Sequence, residues 1–63
     1  MSVVDILMAT YNGEKYIESQ ILSIIAQSHK DWHLIIHDDG SKDNTVVKIK
    51  NLARIDNRIK LIE

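Results

Sequence analysis

The amino-acid sequence predicts an α/β fold in which three parallel strands alternate with two helices, βαβαβ, forming half of a doubly wound sheet. Two observations lead to it. Hydrophobic periodicity switches along the chain, from short apolar runs that suit strands to i, i+4, i+7, i+8 spacing that suits helices. Each pair of successive apolar runs is joined by a helix-bearing connection of about a dozen residues or more, which makes the strands parallel and the crossovers right-handed.

The first strand is Val3 to Ala9, rich in branched residues and interrupted only by Asp5, a pattern expected of a strand buried on both faces. Thr10-Tyr11-Asn12-Gly13 is turn chemistry: Asn and Gly tolerate positive φ, and Thr10 or Asn12 is suited to cap the next helix. From Glu14 the period becomes helical. Ile17, Ile21, Ile24 and Ile25 share one face, Leu22 widens it, and Glu18, Ser19, Gln20 and Ser23 are polar. This helix is expected to end near Ser28, with His29 and Lys30 favourable at its C-terminus. Trp32 to His37 forms the second strand. Asp38 to Thr45 is a polar loop offering Ser41 and Asp43 as N-caps. Val46, Ile49, Leu52 and Ala53, joined by Val47, mark the second helix, and Ile59 to Ile62 the third strand.

Composition narrows the function classes. Hydrophobic residues make up 44% and charged residues 27% of 63 positions, which is globular rather than disordered. Eight basic and nine acidic side chains leave a charge of −1, so no basic excess recommends nucleic acid as a partner. Without cysteine there is neither a disulfide nor a thiolate metal site. No apolar run approaches the roughly 20 residues of a membrane span, and no signal peptide is visible, so a cytoplasmic location is expected, with attachment at the cytoplasmic face of a membrane left open. Below about 70–80 residues a single core rarely supplies more than about 3–5 kcal/mol. The chain is therefore expected to be unusually well packed, to self-associate, or to belong to a larger fold.

In an open parallel sheet, ligands bind beyond the carboxyl ends of the strands. The loops there are Thr10 to Glu14 and Asp38 to Thr45. With only Gly13 and Gly40 in the chain, neither glycine-built phosphate cradle, G-x-G-x-x-G or G-x-x-x-x-G-K-[ST], is present. Tyr11 offers a ring for stacking on a base, or an amphipathic plug for the strand edge. Adjacent acids Asp38 and Asp39 suit acid/base work, metal binding or recognition of a donor, and they point in different directions at a strand end. Turn chemistry at Asp39-Gly40 and helix capping by Asp43-Asn44 is the plainer reading. A calcium loop fails by register, because Asn44 falls where glycine is needed and Lys50 where the glutamate is needed. His29, His33 and His37 do not make a convincing metal set, since a zinc site needs three or four ligands and the strand places only His33 and His37 on one face. A receiver-like phosphoacceptor domain would want its acid pair after the first strand, not the second.

Taken together, ATYNGEKYI, the helix end SIIAQS, WHLIIHDDGSKDNT and RIKLI resemble the start of an inverting family 2 glycosyltransferase, and the likeness covers essentially all 63 residues. A finer likeness is to bacterial surface-polysaccharide enzymes, including rhamnosyltransferases. The resemblance implies the Rossmann-like N-terminal half of a GT-A fold, that is, part of a nucleotide-binding domain over residues 1–63. It implies a base pocket lined by the backbone at Ala9, by Thr10 and by the Tyr11 ring, with Asp39 accepting a hydrogen bond from the base N3–H. Asp38, Gly40 and Ser41 would shape the loop near the ribose, and Glu14 would lie near the base edge. Ala9 stands where the family often has proline, and His37 where valine or arginine often precedes the acids.

The resemblance further implies a UDP- or dTDP-sugar donor, a saccharide or lipid-linked acceptor, and a divalent cation, Mg²⁺ or Mn²⁺, in the full-length enzyme. The family's metal-binding D-x-D and catalytic base lie after later strands. The sequence contains no D-x-D, so no residue carries over as metal ligand or base. These 63 residues are expected to hold the nucleoside and to be inactive alone. The alternative is a stand-alone nucleotide-binding or self-associating α/β module, pairing through its sheet edges.

Overall fold

The computed structural model describes residues 3–63. Strands β1 (Val4–Thr10), β2 (Trp32–Asp38) and β3 (Ile59–Ile62) alternate with helices α1 (Ile17–Ala26) and α2 (Thr45–Ile55), in the order read from the sequence. The strands form one parallel sheet in the order β1-β2-β3. Val4 pairs with Trp32 at one end of the first ladder and Thr10 with Asp38 at the other, so both loops leave the same edge of the sheet.

Strand order follows chain order, so two right-handed crossovers carry both helices to the same face. That face holds the core. Trp32, Leu34 and Ile36 from β2 meet Ile17 and Ile21 from α1, Ile49 from α2 and Ile59 from β3, all of them buried. Ile6, Met8, Ile24, Ile25, Leu52, Ala53 and Leu61 pack around them. Alternation along β2 is strict: Trp32, Leu34, Ile36 and Asp38 are buried, whereas His33 and His37 are exposed.

The same topology corrects the expectation that the first strand is buried on both faces. Asp5, Leu7 and Ala9 face outward, and Leu7 is 77% exposed. Leu22 and Val47, expected to widen the helix stripes, are exposed because each helix has only the sheet and its neighbour to pack against. The boundaries shift slightly. Residues 14–16 form a turn in which the Tyr16 and Ile17 N–H groups both donate to the Gly13 carbonyl, so α1 begins at Ile17 rather than Glu14. Neither Thr10 nor Asn12 caps α1; both side chains reach the second loop instead. α1 ends at Ala26, and Lys30 Nζ donates to the Gln27 carbonyl just beyond it.

At the opposite edge, Arg58 fastens the loop before β3 to the start of β2. Its Nε and Nη2 donate to Asp56 at 3.0 and 2.7 Å, its Nη1 donates to the Lys30 carbonyl, and its guanidinium lies 3.9 Å from the Trp32 ring centre. The hydrogen bonds from Arg58 hold the Asp56 carboxyl below its usual range, against a smaller opposing effect of burial.

Candidate functional site

Seven of the eight residues singled out at the carboxyl edge sort into two groups. Thr10, Glu14, Asp38 and Ser41 are tied into a network between the loops. Tyr11, Asp39 and Gly40 are exposed, and no side-chain hydrogen bond or ion pair involves Tyr11 or Asp39 among the described residues. The eighth, Ala9, lies on the exposed face of β1, paired with His37.

Asp38 is the centre of the network. The strict alternation of β2 turns it inward, where it is 4% exposed. One carboxylate oxygen accepts from the Thr10 hydroxyl at 2.8 Å and from the Ser41 hydroxyl at 2.5 Å, and the other from the Ser41 N–H at 2.8 Å. Burial alone would raise its pKa. Hydrogen bonds from Ser41, Thr10 and the Gly40 backbone outweigh that effect and hold the carboxyl below its ordinary value. Asp38 is thus an ionised structural acceptor. The Thr10 hydroxyl is committed to it.

Asp39 differs in every respect. Its side chain is exposed, and only its N–H is used, donating to the Thr10 carbonyl at 2.9 Å. The adjacent acids thus lie in different environments, one turned into the network and one into solvent. The turn is completed by Gly40 at φ +75°, a left-handed conformation that glycine takes without strain.

Glu14 also turns out to be a tie. Its N–H donates to Asp43 at 3.2 Å, its carbonyl accepts from Lys48 Nζ at 3.0 Å, and its carboxylate accepts from the Asn44 side chain at 3.3 Å. Asp43 also accepts from the Thr45 N–H and hydroxyl. The Thr45 hydroxyl bond is the main reason the Asp43 carboxyl sits below its usual range. Asn44 rather than Asp43 is the N-cap of α2, and it makes no side-chain cap bond; Asp43, one residue earlier, instead bridges α2 and the first loop, and Ser41, the other expected cap, serves Asp38. The contacts of Glu14 with Asp43 and Asn44 join residues about thirty positions apart, so no local pattern announces them.

Asn12 reads from sequence only as a turn or cap residue. It adopts φ +49° and makes two cross-loop bonds. The Asn12 N–H donates to the Ser41 hydroxyl, and its side-chain oxygen accepts from the Lys42 N–H, both at 2.8 Å. An Asn-Gly pair one residue beyond the end of a strand is the one local signal of this role.

A groove of about 260 Å³ lies away from these loops, on the outer sheet face, lined by Asp5, His33, Ile35, Asn57, Arg58 and Lys60. Asp5 and His33 approach to 3.5 Å there, but both are largely in solvent, where such pairs contribute little. Among the described residues no group of three or more His, Cys, Asp or Glu side chains is placed to hold a metal ion, and no helix is long and apolar enough to cross a membrane.

Comparison with known proteins meets this geometry at the same loops. The family model described as glycosyl transferase family 2 matches residues 5–63. The chain is 40% identical over 60 residues, 95% of its length, to the UDP-Glc:alpha-D-GlcNAc-diphosphoundecaprenol beta-1,3-glucosyltransferase WfgD of Escherichia coli, of which it covers 23%. It is 37% identical over 60 residues, again 95% of its length, to an uncharacterized glycosyltransferase of Haemophilus influenzae, covering 19% of that protein. Over 39 residues, 62% of the chain, it is 56% identical to the dTDP-rhamnosyl transferase RfbG of Shigella flexneri, covering 14% of it. The chain thus spans about a fifth of the length of these longer relatives. Its parallel βαβαβ sheet is the Rossmann-like beginning of the GT-A fold. With the match running through both loops and both helices, the chain belongs to glycosyl transferase family 2.

Proposed function

We propose that this chain is the nucleotide-recognition part of a transferase that moves a sugar from a UDP- or dTDP-sugar to an acceptor hydroxyl, with inversion, in cell-surface polysaccharide synthesis. The observation that carries the reading is the division of labour between the two acids. Asp38 is buried and fully bonded, while Asp39 stands free beside Tyr11 at the ligand-binding edge of the sheet.

The chemistry rests on Asp39. An ionised carboxylate only accepts hydrogen bonds. Uracil and thymine present a donor at N3, whereas cytosine presents a lone pair, which faces the carboxylate unpaired. Mismatches of this kind cost about 1–3 kcal/mol. Tyr11 supplies a face for the base, Ala9 supplies backbone, and Gly40 and Ser41 bring the second loop close to the ribose. Glu14 acts on this edge through the position of the loops. The donors in the names of two relatives, UDP-Glc and a dTDP-sugar, both carry a base of the N3–H kind, which supports the reading.

In the whole enzyme the acceptor, saccharide or lipid-linked, attacks the anomeric carbon and the nucleoside diphosphate leaves. The described residues do not fit a divalent cation, since no acid or histidine cluster converges. The cation assigned to the family takes its ligands elsewhere, and these 63 residues bind donor without turning it over. The site works in the cytoplasm or at the cytoplasmic face of the membrane, where nucleotide sugars are found.

One observation favours a second reading, self-association without catalysis: the outer sheet face leaves Leu7 77% and Ile62 47% exposed. Sedimentation of the chain with and without nucleotide separates the two. For the primary reading, a ¹⁵N–¹H titration with UDP, dTDP and CDP is the test. Shifts at Tyr11, Asp39 and Gly40 with UDP and dTDP but not CDP are expected. A dispersed spectrum that responds equally to all three, or to none, refutes the pocket.

A further inference from the structure

Tyr11 and Asp39, the two free side chains of the site, each lie between cross-loop ties. On one side of Tyr11, the Thr10 carbonyl accepts from the Asp39 N–H at 2.9 Å. On its other side, the Asn12 N–H donates to the Ser41 hydroxyl at 2.8 Å. Asn12 then closes a second bond from its side chain to the Lys42 N–H, also at 2.8 Å. Ser41 in turn is anchored on the Asp38 carboxylate. The backbone of Tyr11 is thus held at both ends against the loop that carries Asp39.

We propose that Asn12 is a positioning residue of this site: it clamps the Tyr11 turn to the Asp39 loop and so pre-organises both groups before a base arrives. The proposal rests on the nucleotide reading above. Two demands meet at this position. The backbone is left-handed, at φ +49°, and a short side chain must present an acceptor to the Lys42 N–H. Asparagine and aspartate satisfy both, glycine satisfies only the first, and alanine neither. Without the clamp, the ordering of the Tyr11 turn is deferred to the moment of binding and weakens it.

The residue types define the experiment. Uridine is the probe and cytidine the control, so that diphosphate charge does not bias a charged variant. Binding is read by ¹⁵N–¹H shifts, and folding by spectral dispersion and by Trp32 fluorescence. Asn12→Gly keeps the backbone conformation and loses the acceptor, and should bind uridine about five- to tenfold more weakly. Asn12→Asp keeps both features and should restore wild-type affinity, a rescue that a general loss of stability would not produce. Uridine-selective binding that N12G leaves unchanged, or that N12D fails to retain, overturns the positioning role alone. If N12G does not fold, the N12D affinity decides. A wild-type chain that does not distinguish uridine from cytidine overturns the nucleotide reading and this proposal with it.

Discussion

Removing the Asp38 carboxylate should be among the most damaging single changes available in this chain, and the structure separates its steric from its electrostatic part. Asp38→Ala deletes an acceptor of three hydrogen bonds and leaves the hydroxyl of buried Thr10 and the hydroxyl and N–H of Ser41 without their partner. Hydrogen bonds to a charged group contribute about 1.5–3 kcal/mol each, but the loop at Ser41 is open enough for water to replace part of the loss. Counting the buried Thr10 bond in full and the Ser41 pair in part gives about 3–4 kcal/mol. A single core of this size supplies only about 3–5 kcal/mol, so D38A should lie close to unfolding at room temperature. Asp38→Asn is milder. Its amide oxygen can still accept from the Ser41 N–H, but the NH₂ takes the place of the oxygen that accepts from both hydroxyls and must donate to them instead, so charge assistance and one acceptor are lost, about 1–2 kcal/mol. The assay is urea denaturation followed by the fluorescence of buried Trp32. A D38A loss below about 1 kcal/mol, or a D38N loss equal to that of D38A, would refute the account of Asp38 as a buried, charge-assisted hub.

Four further outcomes are expected. Ile36→Ala, at a fully buried position, should cost about 2–5 kcal/mol, whereas Leu7→Ala, 77% exposed, should change stability by less than about 0.5 kcal/mol; similar losses would contradict the one-sided sheet. Gly40→Ala should cost about 1–2 kcal/mol by backbone strain alone, because a Cβ there meets no atom within 4 Å; a neutral variant would argue against the left-handed turn. Asp38, Asp43 and Asp56 all have lowered folded-state pKa values, so their contribution is complete above the unfolded value of about 3.9 and is lost as pH falls through the folded values; an acid transition unaltered in Asp56→Asn would count against this. Asp39→Asn gains a donor for the cytosine lone pair and should narrow the UDP-to-CDP preference about tenfold or more, and a preference that stays intact would remove Asp39 from base recognition.

Much of this protein is legible one residue at a time. The switching period of its apolar residues determined the five elements and their order, because a strand and a helix bury different subsets of the same chain. Turn chemistry pointed to Asn12, Gly13 and Gly40, of which Asn12 and Gly40 are left-handed and Gly13 is not, and parallel connectivity brought both loops to one edge. Other features depended on which surfaces meet. Whether β1 is covered on one face or two is a property of the β1-β2-β3 order, not of the residues Val4 to Thr10. That Asp38 anchors while Asp39 stays free, that Glu14 is held by Asn44, and that Asn12 closes on Lys42 all rest on contacts spanning about thirty residues. The physical reason is range. Periodicity and φ preference act within a turn or two of chain, whereas a hydrogen bond between loops exists only after the sheet has paired Thr10 with Asp38.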